Sequence, residues 1–140
     1  MPVADTCFLI DLMMREPDAL ALYVAYEERS LPLATTAISA LELYKGAYLS
    51  LKREENIRKV KAVLGLFECL PLDESVYEAF GAYSASLVQK GTPIGDFDEL
   101  IAVLALCHDG VLITRDQHFS RIPGLEILSY SRSSGRQGNL

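Results

Sequence analysis

Residues 91–114, GTPIGDFDELIAVLALCHDGVLIT, decide how the chain is read. A Gly/Pro-containing loop opens a helical stretch, and Leu100 to Leu106 is apolar on nearly every side, which predicts a buried helix. Val111-Leu112-Ile113-Thr114 then reads as a buried strand. A helix handing over to such a strand is the repeating unit of an α/β domain. The helix entrance holds Asp96, Asp98 and Glu99. The helix dipole favours an acid at that position, but three at the mouth of a buried helix exceed what capping needs. Parallel sheets bind ligands beyond the carboxyl ends of their strands, so acids placed just after strands carry the functional question.

The alternation extends outward from this stretch. Val3-Ala4-Asp5 is a short strand ending on an acid, followed by helical turns over Thr6–Leu12. Pro17 resets the chain before a helix over Asp18–Arg29 with Leu20, Leu22, Tyr23 and Tyr26 facing inward. Leu33-Ala34-Thr35 is a second strand, and Thr36 opens a helix to about Leu49. Lys52–Phe67 is helical, with Ile57, Val60, Val63, Leu64 and Phe67 on one side. Its Lys52, Arg53, Arg58, Lys59 and Lys61 form either a solvated face or a surface for RNA or a partner. Cys69–Leu72 is a third strand, Asp73 caps a helix over Glu74–Lys90, and Gly91 ends it. A turn or short helix over Asp116–Arg121 leads to a last strand, Leu125–Tyr130. The pattern predicts an α/β domain over residues 1–130 with a largely parallel sheet. The Ser/Gly-rich tail, 131–140, is expected to be disordered.

Composition narrows the function. Half of the 140 residues are hydrophobic and 23% are charged, as in an ordinary globular domain. No apolar run reaches the roughly 18 residues of a membrane span, and Met1–Asp5 lacks the start of a signal peptide. A cytoplasmic protein with no membrane partner is expected. The net charge of −6 argues against a phosphate-bearing partner unless acids are gathered around cations. Cys7, Cys69 and Cys107 follow no metal-ligand spacing and are expected to be buried reduced thiols. His108 and His118 are isolated, no nucleophile lies in a recognisable frame, and a Gly-rich phosphate loop is missing.

Asp5 ends the first strand, Glu42 lies on the helix after the second, Asp98 opens the quoted helix, and Asp116 follows the fourth strand. All fall at the ligand edge of a parallel sheet. Each also has a structural alternative. Asp5 suits the N-cap of the Thr6 helix. Ser39-x-x-Glu42 matches a capping box, although Thr36 offers an earlier cap and leaves Glu42 mid-helix between leucines. Asp96-x-x-Glu99 matches another capping box, which makes Asp96 a structural residue with an outer role at most. Asp116 suits a turn. Carboxylates that meet in one pocket repel unless cations are present, and an all-oxygen set matches Mg²⁺ or Mn²⁺.

Asp5-Thr-Cys-Phe-Leu-Ile-Asp11, Ser39-Ala-Leu-Glu42-Leu, Gly91-Thr-Pro-Ile-Gly-Asp-Phe-Asp98-Glu-Leu-Ile-Ala102 and Thr114-Arg-Asp116 followed by His118-Phe119 resemble, in order, the signatures of PIN-domain nucleases. The chain's size is similar to that of the toxin ribonucleases of VapBC toxin–antitoxin pairs. The resemblance implies a three-layer α/β/α sandwich on a mainly parallel, roughly five-stranded sheet. It also implies an Mg²⁺-dependent endoribonuclease (Mn²⁺ substituting) whose metal-holding acids are Asp5, Glu42, Asp98 and Asp116. Thr6, Ser39 and Thr114 are candidates to hold water or substrate, and Arg115 is either a phosphate contact or an exposed surface arginine. Hydrolysis by water needs no 2′-hydroxyl, so products with 5′-phosphate and 3′-hydroxyl ends are expected. Further implied are an RNA substrate, a small antitoxin in the acidic cleft, a homodimer within a larger toxin–antitoxin complex, and contact with DNA only through the antitoxin. Tyr44, Tyr48, Leu49 and Leu51 are candidates for the antitoxin contact. Asp116 stands where many relatives carry Asn, and Ser129-Tyr130 where Asp-Trp is often found. The competing class is a catalytically inactive PIN-like module that serves as a partner scaffold.

Overall fold

The computed structural model describes residues 1–131. The tail expected to be disordered lies outside them except for Ser131, whose hydroxyl donates to Asp18 Oδ2 at 2.6 Å. The elements run β1 (Val3–Ala4), α1 (Thr6–Met13), α2 (Pro17–Glu28), β2 (Ala34–Thr36), α3 (Ala37–Leu49), α4 (Arg53–Leu64), β3 (Glu68–Leu70), α5 (Glu74–Gln89), α6 (Asp96–His108), β4 (Val111–Ile113) and β5 (Glu126–Leu128). A 3-10 turn, Gln117–Arg121, connects β4 to β5. The five strands form one sheet in the order β3-β2-β1-β4-β5, and every pairing is parallel.

Successive strand residues point to opposite faces, and that alternation separates two cores. Val3, Ala34 and Leu112 face α6 and α5, where they meet Ile101 to Ala105, Val76 and Leu87. Ala4, Leu33 and Ile113 face the other way onto Phe8, Leu9, Leu43, Val60, Val63 and Phe67. The three layers follow from this division. β1 is the central strand, with Val3 opposite both Ala34 and Leu112, so the residue after β1 is surrounded by structure on both sides.

Local chemistry sets the boundaries. Thr36 ends β2 and caps α3, its hydroxyl accepting from Ser39 N at 3.0 Å, so the earlier cap prevails over a Ser39–Glu42 box. β3 stops at Leu70 because Pro71 has no N–H to donate to a ladder. Asp73 caps α5 by accepting from Ser75 N. The Asp96 capping box does not form. Gly95 is the N-cap of α6 at φ 106°, a conformation glycine adopts without the steric cost an aspartate bears. Glu99 keeps half of that expectation by accepting from Ile94 N at 3.0 Å.

The cysteines depart from expectation. Cys69 is exposed on the edge strand β3, Cys107 is exposed in the last turn of α6, and Cys7 is only half-buried. Among the described residues no helix is long and apolar enough to cross a membrane.

Phe8 joins the helical layer to the sheet. It is fully buried, meets Phe67 edge-on at 6.4 Å between centroids, and meets Tyr130 at 5.2 Å. Phe8→Ala is expected to lower the unfolding free energy by about 3–5 kcal/mol in urea denaturation, with a smaller loss for Phe8→Leu. Equal stabilities for the two variants would show that ring volume at this position does not matter.

Candidate active site

Asp5 follows β1 directly, and its backbone N–H donates to Ile113 O at 3.1 Å, locking it to β4. Its side chain is 2% exposed. Oδ1 accepts from Phe8 N at 3.0 Å, so Asp5 is the N-cap of α1 as well as a site residue. The Thr114 hydroxyl donates to Oδ2, and the Cys7 thiol donates to Oδ1 at 3.0 Å. Burial is the main force pushing the Asp5 carboxyl up to about 6, and the Asp116 charge adds to it. The donors from Cys7, Thr114 and Phe8 work in the opposite direction without cancelling the effect.

Asp116 is set by the same threonine. Its backbone N–H donates to Thr114 Oγ1 at 3.0 Å, so one hydroxyl bonds both acids' residues. One potential ligand atom each from Asp5, Cys7 and Asp116 lie within 4.8 Å of one another. Burial and the neighbouring Asp5 charge push the Cys7 thiol up to about 12. It therefore remains a neutral donor at physiological pH, and the anionic members of the group are carboxylates.

Glu42 enters from α3. Its Oε1 accepts from the Thr6 hydroxyl at 2.6 Å, which supplies the partner that a mid-helix acid between leucines requires. Thr6 Oγ1 also lies 3.0 Å from Ser39 Oγ. Thr6 and Ser39 are thus support for Glu42, and Thr114 is support for Asp5 and Asp116. Asp98 projects from the first turn of α6, where its Oδ2 lies 3.0 Å from His118 Nε2. Glu42 and Asp98 stand outside the tight group of Asp5, Cys7 and Asp116. Asp96 is exposed and makes no capping bond.

Arg115, expected as a phosphate contact, turns elsewhere. Its Nε donates to Asp11 Oδ2 at 2.7 Å, and Asp11 is fully buried. The Tyr130 hydroxyl donates to the same oxygen at 2.6 Å, and burial with this acceptor raises the phenol above its ordinary range. Cys7 and His118 hydrogen-bond the candidate acids Asp5 and Asp98, Asp11 accepts from Arg115 and Tyr130, and the sequence assigned none of Asp11, Tyr130, Cys7 and His118 that place. The apolar setting of Asp11, between Ile10 and Leu12, was the available signal for a buried acid in need of a partner.

The PIN domain family profile matches residues 3–125. The chain is 34% identical over 96 residues to the tRNA(fMet)-specific endonuclease VapC of Salmonella typhimurium, covering 68% of this chain and 73% of that one. It is 32% identical over 123 residues to ribonuclease VapC1 of Haemophilus influenzae, covering 87% and 92%. Among solved structures, VapBC2 from Rickettsia felis, bound to a DNA fragment from its promoter, superimposes with a TM-score of 0.84 at 26% identity. That match covers 92% of this chain and 98% of the other. With the profile spanning most of the sequence and the site standing at the carboxyl ends of β1 and β4, the chain belongs to the PIN-domain family.

Proposed function

We propose that this protein is a VapC-type endoribonuclease, the toxic component of a type II toxin–antitoxin pair, and that Asp5, Glu42, Asp98 and Asp116 hold Mg²⁺, with Mn²⁺ able to substitute. The observation that carries the reading is Asp5. A carboxylate 2% exposed, with the charge of Asp116 beside it, is an arrangement that a cation relieves. The carboxylate oxygens of Asp5 and Asp116 in the group fit a hard ion. When bound, a divalent cation supplies Lewis acidity to the scissile phosphate and lowers the pKa of water.

The chain's own groups orient this set. Thr114 fixes Asp5 and the Asp116 backbone, and Thr6 fixes Glu42. Hydroxyl donors hold a carboxylate without cancelling its charge, so the acids remain available to a metal. Water as nucleophile leaves the 2′-hydroxyl unused, and with the 3′-oxygen as leaving group the products carry 5′-phosphate and 3′-hydroxyl ends.

An antitoxin fits beside this site. Tyr48, Leu49 and Leu51 are exposed at the end of α3 and the turn into α4, with Leu51 wholly exposed. An open groove of about 240 Å³ runs from Glu42 past Gly46 to Asn56 and Lys59. An added Cβ at Gly46 meets nothing within 4 Å, which leaves room for a partner's backbone. Tyr44 instead packs against the core. The likeness to VapBC2 from Rickettsia felis bound to promoter DNA, and to VapC endonucleases, supports a toxin paired with an antitoxin, and through it a DNA contact.

Purified protein is expected to cut RNA with Mg²⁺ or Mn²⁺ and to stop when the ion is chelated. Asp5→Asn should lower the rate by about 100-fold or more, the scale of losing one preorganised electrostatic element. Equal cleavage by both proteins would exclude the acidic centre, and no metal-dependent cleavage by the wild type would leave a binding scaffold as the better description.

The metal-free protein has a further signature. The native state holds a proton on Asp5 between pH 4 and about 6, where the unfolded chain has released it. Stability from this group is therefore full below about pH 4 and falls as pH rises through 6. A rise from 3.8 to about 6 corresponds to about 3 kcal/mol. Urea unfolding from pH 4.5 to 7.5 should show this decline relative to Asp5→Asn. Added Mg²⁺ should offset it at pH 7.5 more than at pH 5. Parallel pH profiles for wild type and Asp5→Asn would contradict the buried-charge account.

A further inference from the structure

His118 has no role in the centre as described so far. Its Nε2 is 3.0 Å from Asp98 Oδ2, and its ring stacks on Phe119 with centroids 4.6 Å apart and planes 27° from parallel. Phe119 is 1% exposed and packs in the core that contains Ile101 and Ala102 of α6. One face of the imidazole is thus fixed by an immobile neighbour while its tip meets a carboxylate in the first turn of that same helix.

The 3-10 turn braces the α6 entrance at a second point, where Arg121 Nη1 donates to Pro93 O at 3.5 Å. From within α6, Glu99 accepts from Ile94 N and ties the loop to the first turn. The backbone that carries Asp98 is therefore held from two sides. Its side chain is 36% exposed, and the imidazole meets its Oδ2. A carboxylate offers two oxygens, and with Oδ2 taken by His118, Oδ1 remains for another ligand.

We propose that His118 is a positioning residue for Asp98. By donating from Nε2 to Oδ2, it holds the carboxylate with Oδ1 presented to the divalent cation. The inference rests on the reading of Asp98 as a metal-holding residue. Partners that orient a ligand from behind commonly change metal affinity by about 10–100-fold, and His118 is assigned the lower end of that range because Asp98 stays partly exposed.

The test is a Mn²⁺ titration of the full chain, following free Mn²⁺ by electron paramagnetic resonance, for wild type, Asp98→Asn, His118→Ala and His118→Gln. Thermal melts without metal check that each variant is folded. His118→Ala is expected to weaken Mn²⁺ binding about 10-fold. His118→Gln, whose side-chain amide can also donate to Oδ2, is expected to recover most of that loss, and RNA cleavage at subsaturating Mn²⁺ should follow the same order. Wild-type affinity in His118→Ala, with Asp98→Asn weakened, would overturn the positioning role. A loss in His118→Gln as large as in His118→Ala would overturn it too, since the imidazole would then be needed for itself. Wild-type affinity in Asp98→Asn would instead remove Asp98 from the metal centre, a failure of the functional reading that the His118 variants do not produce.

Discussion

The centre depends on how one nearly dry carboxylate is tolerated. Asp5 sits at the end of the central strand with 2% of its surface exposed, and a buried ionised acid is costly unless donors surround it. The donors come from separate parts of the chain. Phe8 N belongs to the first turn of α1, Cys7 precedes it, and the Thr114 hydroxyl arrives from the end of β4. The Asp5 backbone bond to Ile113 O brings the last of these into range. The fold around β1 and the polar cluster are therefore one construction, because the sheet register that buries Val3 and Ala4 also delivers Thr114 to Asp5.

Most of this layout is legible from residue pattern. Continuous apolar runs such as Leu100 to Leu106 and Val111 to Ile113 announce elements covered on both sides, and the parallel sheet follows from their alternation. Strand ends are less legible because they are decided by pairing partners: β3 gives up Pro71 and Leu72, and β5 gives up Leu125, Ser129 and Tyr130. The start of α6 was missed by one residue because Asp96 looks like a cap, whereas the backbone there adopts a positive φ that suits Gly95. Asp5, Glu42, Asp98 and Asp116 stand out in the sequence because each follows or faces a strand end. Their supports do not. His118 and Asp98 are separated by 20 positions and Tyr130 and Asp11 by 119, and such pairings become visible only once the sheet has brought them together.

Behind the acids lies a second polar knot. Asp11 is fully buried and takes bonds from both Arg115 and Tyr130, so the segment after β4 and the segment after β5 are tied to α1 at a single carboxylate. Tyr130 adds an apolar contribution by meeting Phe8 edge-on. Its ring and hydroxyl thus serve two purposes. The knot, through Arg115, and the Thr114 hydroxyl both constrain the backbone leading into Asp116.

The placement of Arg115 explains why the acids keep their charge. It stands between Thr114 and Asp116 in sequence, and a guanidinium is a natural partner for a carboxylate such as that of Asp5 or Asp116. Such a pairing would neutralise the centre and compete with any metal. The buried Asp11 carboxylate draws Arg115 away, a trade that favours both because a dry anion binds a planar multi-donor cation strongly. What remains around Asp5 and Glu42 are hydroxyls, a thiol and backbone N–H groups, all of which orient a carboxylate without cancelling it. On the proposed reading, that local charge serves a divalent cation, through which a chain of net charge −6 would approach phosphate.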